Sequence, residues 1–208
     1  LLGQARHMVT DDLDGDDRYD IAVLQKSMVV PDEAAPGSRH EIAIYWNDGI
    51  TKSGPIPETK RIPVGTDAVR GLALVDLDTD GRKDLVVTGG KKVLVQVDPT
   101  TQQEKHGYAG LICFFATGPR QWGAGVAIDT PAFSTLALAD LNEDGWIDVA
   151  LCNSDRDTGS VEVLWGRASQ GFTETGMLID LPRIQRIATT DLDGDGHLDL
   201  VASPWRGE

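Results

Sequence analysis

Four stretches of this chain are variations on one twelve-residue theme: "DLDGDDRYDIAV" from Asp12, "DLDTDGRKDLVV" from Asp76, "DLNEDGWIDVAL" from Asp140 and "DLDGDGHLDLVA" from Asp191. Their starts lie 64, 64 and 51 residues apart. Self-similarity at such a period is the mark of a repeat architecture, and it limits the possible folds more than any local pattern does. The likeness continues upstream without a gap. "RIPVGTDAVRGLALVDL" (61–77) aligns with "GVAIDTPAFSTLALADL" (125–141) and "GMLIDLPRIQRIATTDL" (176–192). Ile62, Val126 and Met177 fall in one column, Val64, Ile128 and Ile179 in another, and Val69, Phe133 and Ile184 in a third. At the N-terminus, "ARHMVTDDL" fits the last nine columns.

Each repeat reads as strands. A short apolar run such as Leu72–Val75 enters the acidic stretch, and "DLVVTG" or its equivalent leaves it. Next comes a segment with period-two apolar spacing, the pattern of a pleated strand. In it Ile42, Ile44 and Trp46 align with Val161, Val163 and Trp165, and Val93, Val95 and Val97 supply the second repeat. "TKRIPV", "GVAID" and "GMLID" provide a fourth strand. No sustained 3.6-residue apolar period occurs. Four short strands per unit of this length is the composition of a β-propeller blade. The expected fold is therefore all-β, with four-stranded antiparallel blades. Repeats of approximately 5–68, 69–132, 133–183 and an incomplete 184–208 make about three and a half blades in one partial propeller. Two excursions interrupt the pattern. One is the Pro/Gly/Ala-rich 27–40. The other is 99–124, where "LICFF" is strand-like enough for an extra hairpin.

The acidic stretches carry the chemistry. Counting the first Asp as position 1, oxygen side chains stand at positions 1, 3, 5 and 9 in every copy. They are Asp12, Asp14, Asp16 and Asp20; Asp76, Asp78, Asp80 and Asp84; Asp140, Asn142, Asp144 and Asp148; and Asp191, Asp193, Asp195 and Asp199. Alternating oxygens in a tight turn can converge on one hard cation, and Ca²⁺ takes six to eight oxygens. The backbone carbonyl at position 7 (Arg18, Arg82, Trp146 or His197) is a natural further ligand. Position 6 is Gly in three copies, where a sharp turn can use positive φ, but Asp17 in the first, which implies backbone strain there. Position 2 is always Leu (Leu13, Leu77, Leu141, Leu192), as expected if it anchors the loop in the core. An EF-hand is excluded, because position 12 is Val23, Val87, Leu151 or Ala202 rather than an acid, and the flanks are strands. Mg²⁺ fits less well, since it keeps waters and takes fewer protein ligands. No Cys or His pair has the spacing of a zinc site.

The loops "D-L-[DN]-x-D-[GD]-x-x-D-[LIV]" resemble the FG-GAP or VCBS repeats of integrin-alpha-like calcium-binding β-propellers. The resemblance covers nearly the whole chain except parts of 27–40 and 99–124. It implies a loop between the first two strands of each blade holding one Ca²⁺, hence up to four, and a propeller of about seven blades. The chain then needs further blades, or other chains, to complete the ring.

Charge distribution narrows the function. Net charge is −14, from 33 acidic and 19 basic residues, which argues against nucleic acid and against anionic membranes. Fifteen of the sixteen loop side chains are carboxylates, so four Ca²⁺ would bring the charge to −6. No run of 18 apolar residues occurs, and no membrane insertion is expected. Cys113 and Cys152 lie in apolar surroundings and read as buried free thiols, with one disulfide between them as the alternative. His7, His40, His106 and His197 are scattered and no catalytic motif is present, so catalysis within this chain is not expected. The expectation is a calcium-stabilised scaffold, secreted or at the cell surface, for an unidentified protein or glycan. A lectin-like alternative would use Trp122 and Trp205, and another is an accessory domain of a secreted enzyme.

Overall fold

The computed structural model describes residues 5–26, 40–49, 58–66, 69–97, 104–130, 133, 135–153, 159–167, 171–172, 176–181 and 184–204. It is all-β, with no helix among the described residues. The first four-stranded antiparallel sheet has the order β1 (Ala5–Asp11), β2 (Asp20–Lys26), β3 (His40–Tyr45), β4 (Glu58–Pro63). The second contains β5 (Gly71–Val75), β6 (Asp84–Val97), β7 (Glu104–Phe114) and, after the small hairpin of β8 (Ala116–Gly118) and β9 (Gln121–Trp122), β10 (Val126–Ile128). The third contains β11 (Thr135–Ala139), β12 (Asp148–Asn153) and β13 (Ser160–Leu164). It closes, past the hairpin of β14 (Gly166–Arg167) and β15 (Gly171–Phe172), with β16 (Met177–Asp180). A two-stranded sheet, β17 (Ile184–Thr190) with β18 (Asp199–Pro204), follows. Three meandering four-stranded sheets, one per repeat, are propeller-type blades.

The chain divides into two compact units. The first is residues 1–75, 81–92 and 108–129; the second is 76–80, 93–107 and 130–208. In the first, period-two alternation places Ala22, Leu24, Ile42, Ile44 and Trp46 on one face, packed with Leu72, Leu85, Val87 and Phe114. In the second, Ala150, Cys152, Val161 and Val163 pack with Ile184 and Ile187. The aligned column Val69, Phe133 and Ile184 is buried at all three positions. Each of these leads into the first strand of its sheet, so the repeat is a repeat of packing as well as of sequence. Cys113 and Cys152 are both buried free thiols, and burial pushes the Cys113 thiol up to about 12.

One strand assignment needs correction. Val93, Val95 and Val97 do not form the third strand of the second sheet; they extend its second, β6, to 14 residues. The third strand is β7, which takes in the "LIC" of "LICFF". Gly89 adopts φ +83° inside the continuous strand β6. A left-handed glycine within a strand is how a bulge is accommodated without ending it. The 27–39 excursion lies outside the described residues.

Candidate metal centres on the acidic loops

Each acidic loop joins the first strand of a sheet to the second: β1 to β2, β5 to β6, β11 to β12 and β17 to β18. The flanking pairs end in register at Asp11–Asp20, Val75–Asp84, Ala139–Asp148 and Thr190–Asp199. Position 9 is thus the first residue of the outgoing strand in every copy.

The carboxylates organise the loops through backbone amides. At position 1, Asp12 Oδ1 accepts from Gly15 N (2.8 Å) and Asp16 N (3.1 Å), while its Oδ2 accepts from Asp17 N (2.8 Å). Asp191 repeats this with Gly194 N and Gly196 N, and Asp140 with Asp144 N and Gly145 N. At position 3, Asp14, Asn142 and Asp193 each accept the position-5 amide. At position 5, Asp16, Asp144 and Asp195 accept the amide of Arg18, Trp146 and His197. In the second loop Asp80 N donates to Asp76 Oδ1 at 3.1 Å. These are Asx-type turns stacked in series, which is why a run of Asp residues folds here rather than fraying.

The path needs two left-handed residues per loop. Position 6 is one: Asp17 stands at φ +64° where the others have Gly81, Gly145 and Gly196. Position 4 is the other, at Gly15, Thr79, Glu143 and Gly194. Thr79, β-branched at φ +60°, bears the largest penalty. Thr79→Gly is expected to raise stability by about 0.5–1 kcal/mol in urea denaturation, relief of strain outweighing the entropy glycine adds to the unfolded chain.

Position 9 ties the loop to the rest of its sheet. Asp20 Oδ2 accepts from Leu13 N (3.1 Å) and its Oδ1 from Asn47 N (2.8 Å), just past β3. Asp148 accepts from Leu141 N (2.8 Å) and from Gly166 N (2.7 Å), just past β13. Asp84 accepts from Ala116 N (2.8 Å), just past β7. One carboxylate therefore ties the loop to the end of the third strand. Asp199 keeps only the loop side of this tie, from Leu192 N at 3.0 Å. The position-2 leucines follow suit. Leu13 and Leu77 are 7% exposed and Leu141 packs partly on the second unit's core, whereas Leu192 is 71% exposed. The expectation that every position-2 Leu is buried fails at Leu192, because among the described residues no third strand pairs with the β17–β18 sheet to cover it.

In three loops, one oxygen from each of positions 1, 3 and 9 lies within 4.8 Å of the others: Asp12, Asp14 and Asp20; Asp76, Asp78 and Asp84; Asp191, Asp193 and Asp199. Burial raises the carboxyls of Asp20 and Asp148 above their ordinary range, and the negative charges of Asp14 and Asp16, or of Asp144, push the same way. Converging carboxylates in an all-oxygen donor set fit a hard divalent cation. Of the remaining sequence-selected groups, Asp80 and Asp195 stand at position 5 of their loops, outside these triads. Arg18 turns its side chain back onto Asp16 at 2.9 Å, and His197 pairs with Glu143, which raises the imidazole pKa. Arg82 is exposed and Trp146 half-buried. In the third loop Asn142 Nδ2 donates to Asp144 at 3.0 Å, while Asp140 and Asp148 accept from loop amides.

Trp122 is half-buried and stacked on Trp46, with ring centroids 6.0 Å apart and planes 13° from parallel. Its indole N–H donates to Lys83 O at 3.2 Å, and the Lys60 ammonium stands 5.4 Å from its ring. Trp205 lies outside the described residues. Sequence reasoning did not single out Arg120, which joins this group. Its guanidinium lies over Trp46 and its Nε donates to Asp14 Oδ2 at 2.6 Å. Arg120 follows Pro119 in a two-residue turn and stands at positive φ.

No curated protein matches the chain. A family model described as an FG-GAP-like repeat matches residues 12–87 and 140–202, which include all four acidic loops and well over half of the chain. The chain belongs to the FG-GAP-like repeat family.

Proposed function

We propose that this chain is a calcium-binding, non-catalytic β-propeller module, a scaffold that works outside the cell or at its surface. The observation that carries the reading is the convergence of carboxylates at positions 1, 3 and 9 in three separate loops. Ca²⁺ is the cation of choice because the loops offer many oxygens in a flexible turn, with no nitrogen or sulfur donor among the triads. The ion is structural: it neutralises charge at the start of each second strand and performs no chemistry. Millimolar calcium outside cells fills even weak sites of this kind. Further blades, from a longer chain or from other chains, complete the ring, and the ligand, protein or glycan, is held by variable loops between strands. A sugar at Trp122 is the weaker form of this reading, since that ring is engaged by Trp46 and Lys60.

Equilibrium dialysis against Ca²⁺ tests the assignment loop by loop. The fourth loop is the most exposed, so it tolerates change best. Asp191→Asn is expected to lower bound Ca²⁺ by about one equivalent per chain with the circular dichroism spectrum unchanged. Equal stoichiometry in wild type and variant would remove the fourth loop as a site, and no bound calcium in either would remove the reading.

A further inference from the structure

The first loop holds a fixed positive charge from a distant part of its own unit. Arg120 sits at the tip of the β8–β9 hairpin, 106 residues from Asp14. Its Nε donates to Asp14 Oδ2 at 2.6 Å, and its terminal nitrogen pairs with Asp48. Asp14 is 6% exposed at the side chain and Arg120 38%, so the carboxylate is enclosed while the guanidinium stays open to solvent on one side. Three other contacts set the hairpin in place. Arg120 lies 4.7 Å from the Trp46 centroid, its carbonyl accepts from Lys60 Nζ at 2.9 Å, and Trp122 stacks on Trp46. The backbone points the same way. Arg120 holds φ +58° at a turn position where glycine would be free of strain. A bulky residue kept in the left-handed region suggests that its side chain is what the position requires.

Asp14 is also a member of the first carboxylate triad. If that triad holds Ca²⁺, as proposed above, the ion and the guanidinium bind one carboxylate from two sides. We propose that Arg120 is a built-in competitor of the cation at the first loop, so that metal occupancy and the docking of the 116–122 hairpin oppose each other through Asp14. Two effects of Arg120 have opposite sign. It orders Asp14, which favours metal, and it places a positive charge beside the site, which disfavours a divalent ion. The second dominates, because Asp14 is ordered independently by the Asp16 amide. Linkage then requires the coupling to run both ways: calcium loosens the hairpin by as much as the docked hairpin weakens calcium. When the site fills, Asp48 remains as the partner for Arg120. A cavity of about 270 Å³ lined by Asp12, Asp14, Arg82, Lys83 and Pro119 gives solvent access to that side of the loop.

Hydrogen exchange followed by mass spectrometry over a calcium titration reads both ends of the coupling at once. In the wild type, Ca²⁺ is expected to protect 12–20 while exchange in 116–122 rises about threefold. In Arg120→Gln the midpoint for protecting 12–20 falls about fivefold or more, and exchange in 116–122 no longer responds to calcium. Arg120→Lys, which keeps the charge, stays near the wild type. The midpoint for 191–199, in the other unit, is the internal reference and does not move. An unchanged or weakened 12–20 midpoint in Arg120→Gln overturns the competition while leaving calcium binding intact. Absence of any calcium-dependent protection at 12–20 overturns both.

Discussion

Asp148→Ala, measured in EDTA so that metal plays no part, is expected to cost about 2–4 kcal/mol of unfolding free energy. The substitution strands a buried backbone amide, Gly166 N, and a part-buried one, Leu141 N, which now donate to the two oxygens of one fully buried carboxylate. An orphaned buried donor costs about 1–3 kcal/mol, and the part-buried one adds a smaller share. Part is returned, because the Asp148 carboxyl is itself destabilised by burial. No neighbour can substitute: Gly166 lies so close to the Ile147 carbonyl that even a Cβ would collide with it, so the chain has no slack there. Asp148→Asn keeps one acceptor and turns an amino group towards the other donor, and falls between alanine and wild type. Asp199→Ala is the control. It removes only the Leu192 bond, on an exposed loop, and costs well under ~1 kcal/mol. Urea denaturation midpoints separate these outcomes. Equal losses at Asp148 and Asp199 would show that the tie to the third strand contributes nothing.

That tie was not legible in the sequence, although the residue making it was. The Asp at position 9 stands out by its spacing, and its oxygens invite assignment to a cation. Its other partners are main-chain amides of Asn47, Ala116 and Gly166, at separations of 27, 32 and 18 residues. Partners with no common side chain and no common spacing leave no pattern to read. The left-handed residue at position 4 was hidden for a similar reason. Gly15 and Gly194 hint at it, but Thr79 and Glu143 occupy the same conformation with side chains that argue against it. Arg120 is a third case, its contact with Asp14 being wholly tertiary.

What the sequence did carry was periodic. The period-two alternation at Ile42–Trp46 and Val161–Trp165 located the third strands of two sheets, and the column of Val69, Phe133 and Ile184 located buried positions. It misled at Val93–Val97, where alternation marks a strand truly but says nothing about which strand it belongs to. A turn that Gly89-Gly90 could have made is absent, and β6 simply continues. It misled again at Leu192, because a repeated residue is buried only where its neighbours are repeated too.

The second large effect is the response to calcium itself. Each loop holds three or four carboxylates, and burial, with neighbouring carboxylates adding to it, raises the pKa of Asp20 and Asp148. A cation that binds the folded loop and not the unfolded chain adds stability by mass action, about 2.7 kcal/mol for one site at a hundredfold excess over its dissociation constant. In a chain of this size each kcal/mol moves the melting temperature by about 2–4 °C. One filled loop is thus worth roughly 5–10 °C, and several filled loops more. Each unit carries complete loops, the first 12–20 and the second 140–148 and 191–199, so both are expected to respond. Mg²⁺ at the same concentration should give a smaller shift, because it sheds its waters reluctantly. The decisive measurement is thermal unfolding of the wild-type chain in millimolar Ca²⁺ against EDTA. The account predicts a melting temperature higher in calcium by about 5 °C or more. Melting temperatures within about 1 °C of each other in the two buffers would contradict it.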